Sequence, residues 1–502
     1  MNKSEWRNRR RNNKSRLQNR RQQMANKKAT KICNFRPLCF LALFVAIVIS
    51  ATMYSSFAGI IFIAIIAGGL FIIDVPYWFK IAAVVICSIC CIVIIIITTI
   101  YSVTESPADA NDLTGVVENY NERYIVLRNV KFGDQEITGF VQVWLLGETE
   151  ISVETTEKIT IGNTKIFRAS ATAANINNKI RYTANVYPNT KIMHNGNDGG
   201  LRSVILRYAK WNLANFLSAE NTELVYAMLF GDKSGLDDDM KNGFAAAGLS
   251  HALAVSGLHT GLVVAIILLV LKLCKCPKRY RIYFLAPVLL FYAYLCGFRY
   301  SILRATIMFL TYYLGHCVQQ KTDPLSTLSL AAIIILILFP YSLLSASFLL
   351  SFACVFGIIL YYDFFKKYLY NSAVAMYLAV TIATLPLMFY YFGYLSVFGI
   401  VAAVVLLPIL VFAFYVGLLS VLTLISGALL FTVDPLLSFV QKVTTAIANM
   451  PVSKISISNQ NYAFVFYYVA LIIFSRFVFL KKPWRWGIGL LAFACYFITF
   501  MF

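Results

Sequence analysis

The chain has 502 residues, 59% of them hydrophobic and only 13% charged, with a mean hydropathy of +0.70. Soluble globular chains carry roughly 25% charged residues, so a soluble domain is excluded and a polytopic membrane protein is expected. The net charge of +21 does not by itself signal nucleic-acid binding, because most of the excess is gathered in one N-terminal tail.

Residues 1–36 form that tail. It holds Arg7, Arg9, Arg10, Arg11, Lys14, Arg16, Arg20 and Arg21 before any span, and Glu5 is its only acid. By the positive-inside rule it reads as a cytoplasmic topology anchor. Anionic lipid is a natural secondary partner, and a nucleic-acid arm is the weaker alternative. The tail is too long and too charged for a signal-peptide n-region.

Residues 37–103 contain three apolar runs, near 38–53, 57–73 and 80–101. Each approaches the roughly 20 residues that a helical span needs. Cys87, Cys90 and Cys91 lie in an isoleucine-rich run without polar company, so they read as small packing residues and not as a metal cluster.

Residues 104–200 change character. Period-two stretches at 137–146, 158–173 and 179–192 alternate Val, Ile, Thr, Tyr and Phe with polar residues. They predict about five or six short strands in an extracellular, OB-like small β-barrel. Such a barrel suggests single-stranded DNA. However, acids such as Glu118, Glu122, Glu136, Glu148 and Glu154 are at least as common there as bases, so a spacer or partner surface stays equally open. Residues 201–249 read as amphipathic helices at the outer surface, with Ile205, Ala209, Leu213 and Phe216 on one stripe.

Residues 250–502 hold further spans near 250–273, 282–297, 302–318, 326–340, 343–362, 373–391, 395–413, 414–432, 462–480 and 485–501, with a polar excursion at 433–461. Basic loops alternate with less basic ones as the positive-inside rule expects. The expected fold class is therefore a polytopic α-helical membrane protein of about 13 spans, N-terminus inside, with the OB-like insertion outside.

The segment 231–261 carries most of the chemistry. It is polar and punctuated by glycine, and it leads into an apolar helix predicted to bear Ser250, His251, Ser256, His259 and Thr260. Polar groups inside a span are costly unless they face protein or water. Ser256 and His259 share a helix face, so His259 is either a pore-lining group or a satisfied interhelical histidine. Gly257 and Gly261 allow close helix approach. Arg304 has three possible partners: a phosphate, Asp232 or a backbone carbonyl. Two enzyme readings compete. Ser256-Gly257 is partway to a serine-protease motif, and Asp232, Asp237, Asp238, Asp239, His251 and His259 could supply some metal ligands. The aspartates 237–239 fit a helix N-terminus better.

Taken in order, Gly231-Asp232, Phe244, Gly248-Leu249-Ser250-His251 and Leu253 through His259 resemble the signature of the ComEC family of competence proteins. Ser301, Arg304, Ala305, Asp323-Pro324, Pro340, Ser347-Phe348, Leu350-Ser351-Phe352, Leu385-Pro386, Phe392-Gly393, Ser396 and Pro408 follow in family order. Two positions depart: Leu349 stands where the family usually has Gln, and Ala403 where it often has Asn.

The resemblance implies a multi-pass channel of the cytoplasmic membrane that admits single-stranded DNA during natural transformation. Its expected partners are a DNA receptor outside, a helicase-like ATPase inside and a possible second copy of the chain. No Walker-A phosphate loop occurs, so the driving force is expected from a partner. Many members carry a C-terminal metallo-β-lactamase-like domain. With only four histidines and no matching ligand motif, that activity is expected to be absent, and neither a cofactor nor a metal is expected. The DNA-pathway residues implied are Gly231, Asp232, Gly248, Ser250, His251, Ser256, Gly257, His259, Arg304 and Ser351. The alternative is a membrane-embedded metal-dependent or serine hydrolase with an extracellular sensor domain.

Overall fold

The computed structural model describes residues 36–72, 76–103, 110–146, 153–170, 172–188, 190–253, 255–319, 322–423, 427–450, 453–456 and 464–474. The basic tail up to residue 35 and the span expected at 485–501 lie outside the described residues.

The chain is a helical membrane protein with an inserted sheet region. Among the described residues five helices are long and apolar enough to cross a membrane: Pro37–Tyr54, Tyr77–Tyr101, Ala346–Tyr368, Ser372–Phe392 and Gly399–Leu422. The helix Tyr77–Val103 shows why. Phe79, Ala83, Cys87, Cys90 and Ile94 are buried on one side, while Ile81, Val85, Ile89, Ile92, Ile96 and Ile100 are exposed on another. A continuous exposed isoleucine stripe has no place in water. The three cysteines are packing residues: Cys91 Sγ accepts from the Thr52 hydroxyl at 3.6 Å. They share a core with Leu41, Val45, Ile333 and Phe348.

Contacts divide the chain into two units. The larger holds 37–356 and 394–457, and the smaller includes 357–393 and the C-terminal residues from 458. In the smaller unit, Tyr361, Tyr467 and Tyr468 donate their hydroxyls to the carbonyls of Leu471, Ile382 and Ala383. The backbones there come close, because a Cβ on Gly357 would sit 2.5 Å from Ala383 Cβ.

The sheet region of the larger unit has eight strands, more than the five or six expected. They are β1 (Asn111–Tyr120), β2 (Tyr124–Phe132), β3 (Gln135–Ile137), β4 (Phe140–Leu145), β5 (Glu157–Thr164), β6 (Ile166–Arg168), β7 (Ile180–Val186) and β8 (Ile192–Asn197). The order is β6-β7-β4-β2-β1-β5-β8, with β3 paired to β2 and β4 parallel to β7. The stretch expected as one strand at 137–146 is broken at Gly139, whose φ is +105°. Along β7 the predicted alternation holds: Ile180, Tyr182, Ala184 and Val186 are buried.

An ionic junction ties this sheet to the helix Leu201–Ala214. Arg202 grips both oxygens of Glu118 at 2.7 and 2.8 Å, and Arg128 pairs with Glu118 at 3.0 Å and Asp198 at 2.8 Å. Burial pushes the Asp198 carboxyl up. Hydrogen bonds from the Ser203 hydroxyl and the Gly200 N–H, and the Arg128 charge, outweigh this and hold it below its ordinary value. A depressed folded-state value stabilises above the unfolded carboxylate range, near about 3.9, and that stability is lost as pH falls through the folded value. Asp198→Asn is therefore expected to lower stability at neutral pH by about 1 kcal/mol. The gap from wild type should close on acidification below about pH 4, as read by unfolding temperature against pH. A gap independent of pH would sink the assignment.

Two expectations are corrected. The helix Ala219–Phe230 is not amphipathic at a surface. It buries Asn221, Thr222 and every residue from Leu224 to Phe230, packed among helices that include Arg281–Leu295, Gly399–Leu422 and Gly427–Ala448. Its own sequence shows only a short apolar patch, and its neighbours bury the rest. The expected break between spans 395–413 and 414–432 does not occur, since Gly399–Leu422 runs through it. Gly427–Ala448 then continues into the stretch expected to be a polar excursion. Its half-buried Ser438 and Gln441 bond the buried Asn221, and the buried Thr444 donates to Gln441 O, so polarity there marks a contact with the core.

Candidate functional site

The helix Asp238–Ala246 ends at a turn made possible by Gly248, whose φ of +69° suits a residue without Cβ. A Cβ there would also meet Gly399 Cα at 3.0 Å and Ser396 Cβ at 3.1 Å. The Ser396 hydroxyl donates to Ala246 O at 2.5 Å. Ser250 and His251 follow in this turn and not on the helix as expected. The αL glycine and the cap at Ser256 delay helix formation. His251 is exposed, with Nδ1 3.2 Å from Gly248 O.

The apolar helix begins at Gly257. Ser256 is its N-cap, and Ser256 Oγ accepts the Leu258 N–H at 3.2 Å. His259 Nδ1 accepts the Ser256 backbone N–H at 3.2 Å, completing a capping box. An accepting Nδ1 assigns the proton to Nε2. The ring is 4% exposed and stacks on Phe414 at 4.7 Å. His259 is thus an interhelical, capping histidine. The imidazole Nδ1 is thus engaged by the Ser256 backbone N–H.

Two further segments converge on this turn. Gly231 closes the helix Ala219–Phe230 with φ +80°, and a Cβ there would lie 2.9 Å from Arg299 Nε and 3.1 Å from Val255 Cγ2. Asp232 accepts the Ser234 N–H at 3.0 Å, and Ser234 Oγ donates to Asn119 Oδ1 at 2.6 Å, linking the loop to β1. Asp232 makes no ion pair with Arg304 among the described residues. Lys233 stands beside Arg299 and Lys241. Burial, then those two cations, push its ammonium down to about 8.

The helix Tyr300–Cys317 supplies Ser301 and Arg304. Ser301 Oγ donates to Val255 O at 2.7 Å. Arg304 is 6% exposed and donates from Nη1 to Ser351 O, and its guanidinium lies 6.0 Å from the centre of the Phe352 ring. Of the sequence options for Arg304, the backbone carbonyl is realised. Ser351 contributes its carbonyl and not its hydroxyl. Leu349 packs against the N-terminal core and Ala403 against the core around Leu406 and Phe414.

The turn thus brings together Gly231, Gly248, Ser256, Gly257, His259, Arg304 and Ser351. Arg299 and Phe414 were not singled out from sequence. Arg299 lies between two apolar runs, and Phe414 is one apolar residue among many. No group of three or more His, Cys, Asp or Glu side chains converges as a metal site among the described residues.

A family model described as competence protein matches residues 228–482. ComE operon protein 3 of Bacillus subtilis (strain 168) is 28% identical over 188 residues, covering 37% of this chain and 24% of that protein. An uncharacterized protein of Aquifex aeolicus (strain VF5) is 32% identical over 190 residues, covering 36% of this chain and 45% of that protein. Each match therefore spans less than half of the curated relative. No solved structure matches.

Proposed function

Because the chain belongs to the competence protein family, we propose that it passes single-stranded DNA across the cytoplasmic membrane during natural transformation. In this reading the tail 1–36 lies inside, and residues 37–103 and 250–502 cross the membrane about 13 times. The segment 104–200 is an extracellular OB-like domain. The driving force comes from a helicase-like ATPase inside, and a DNA receptor delivers the strand outside. The chain acts as a conduit and not as an enzyme. The proposed pathway residues are Gly231, Asp232, Gly248, Ser250, His251, Ser256, Gly257, His259, Arg304 and Ser351.

One observation carries this reading. Segments far apart in sequence meet at one turn, with Arg299 over Gly231, Ser301 bonded to Val255, Arg304 against Gly257 and Ser396 against Gly248. All of them lie within the family match. A polyanion crossing lipid needs a polar path with sparse positive charge, so that it is admitted but not held.

The test is uptake of labelled DNA in a deletion strain, scoring nuclease-resistant internal label separately from surface label. The expected result is normal surface binding with internal label lost, and restored by the gene. Unchanged internal label in the deletion strain would sink the reading.

A further inference from the structure

We infer that Arg304 and the N-terminus of the helix Gly257–Leu273 form an anion seat for a single phosphodiester of the DNA strand. The inference rests on the transport reading above and assigns it a specific contact.

Arg304 is 6% exposed, and among the described residues its Nε has no hydrogen-bond partner. Among the described residues Arg304 donates to the Ser351 carbonyl, and no acid lies within ion-pair distance. A buried guanidinium without a counter-charge is strongly unfavourable. Its neighbour makes this worse. Gly257 is the first residue of a 17-residue helix, and a Cβ built on it would lie 2.5 Å from Arg304 Nη2. The N-terminus of a helix carries about half a positive charge. Two positive potentials thus face each other with no acid between them. A fold shaped for stability alone would place a carboxylate here.

The neighbouring groups define what fits. The capping box engages the Leu258 N–H and the Ser256 N–H. Gly257, lacking a side chain, lets Arg304 Nη2 lie against the helix end, and the guanidinium's Nε is the edge left for an anion. The Phe352 ring lies beside the guanidinium, leaving its donor edge for hydrogen bonds. The seat is built for one tetrahedral anion, not for a run of them. Its enclosure by protein favours a strand phosphate over a lipid headgroup.

The full chain in neutral phosphatidylcholine nanodiscs would be titrated with a labelled oligothymidylate. Three measurements follow: affinity, its salt dependence and the unfolding midpoint without DNA. Arg304→Met is expected to weaken binding about tenfold or more and to reduce the salt slope by about 0.7. Its unfolding midpoint should not fall, because a structural arginine would destabilise on removal whereas an uncompensated charge does not. An uncharged methylphosphonate oligomer should bind wild type and variant alike. Should Arg304→Met fail to fold, Arg304→Lys carries the test, with a several-fold loss expected as the fork becomes a point charge.

Equal oligonucleotide affinity in wild type and variant overturns the seat, as does a wild-type chain that binds no oligonucleotide. If phosphatidylglycerol in the nanodisc shows the Arg304-dependent binding and DNA does not, the seat belongs to lipid and the inference fails. Gene-dependent uptake in cells, measured separately, would stand through any of these failures.

Discussion

Gly257→Ala is expected to leave the protein folded while lowering strand affinity about tenfold, equivalent to about 1.4 kcal/mol. The added Cβ would sit 2.5 Å from Arg304 Nη2 and 3.9 Å from Ala305 Cβ. The first distance is shorter than van der Waals contact allows, so the guanidinium must move. The second is ordinary contact and requires no backbone shift. Alanine's helix advantage over glycine, roughly 0.5–1 kcal/mol in a helix interior, is smaller at this first helical position and offsets part of the strain. Stability and binding should therefore separate. Unfolding midpoints and oligonucleotide titrations of the same nanodisc sample would show it. A variant that loses both together would mean that Gly257 serves helix packing and not the anion.

Asn221→Leu is expected to destabilise the larger unit by about 3 kcal/mol, the sum of a broken network and stranded partners. Asn221 is 1% exposed. Its Nδ2 donates to Asp434 Oδ1 at 2.8 Å, Asp434 O at 3.0 Å and Ser438 Oγ at 3.0 Å. Its Oδ1 accepts from Gln441 Nε2 at 2.8 Å. Leucine fills the volume but takes from the half-buried Gln441 its bond to Asn221. The Asp434 carboxylate keeps its bonds from the Ser218 N–H and hydroxyl, and its backbone carbonyl keeps the one from Ser438 Oγ. Asn221→Asp should be worse, since it sets a second carboxylate against Asp434. Thermal unfolding in a neutral detergent measures both. A leucine variant as stable as wild type would show that the network is matched by apolar packing.

Much of the helical framework was readable without coordinates. The expected spans 38–53, 282–297, 302–318 and 373–391 end within a few residues of the helices Pro37–Tyr54, Arg281–Leu295, Tyr300–Cys317 and Ser372–Phe392. Long apolar runs leave the backbone no choice but to satisfy itself within a helix. The strand at 180–186 was equally legible from its alternation. The hairpin of β1 and β2 drew no specific expectation. Its residues mix acids and asparagines with valines, and their pairing is decided across the sheet.

The site was legible as a list but not as an arrangement. The residue types at 231, 248, 256, 257, 259 and 304 mark a special place, because polar groups and glycines in an apolar setting need a reason. Which role each plays was decided by partners distant in sequence. His259 caps and stacks because Phe414 lies across from it. Ser250 and His251 leave the helix because Gly248 turns the chain against Ser396 and Gly399.

By itself the sequence determined that this is a helical membrane protein with an inserted sheet and a polar, glycine-punctuated turn. Those properties follow from local hydrophobicity and backbone freedom, which each segment carries with it. Only the tertiary structure decided that Arg304 meets Gly257 and the Ser351 carbonyl rather than Asp232, and that the Ala219–Phe230 helix lies in the core. Burial and charge pairing are properties of neighbours brought together by folding, and no segment encodes its neighbours alone.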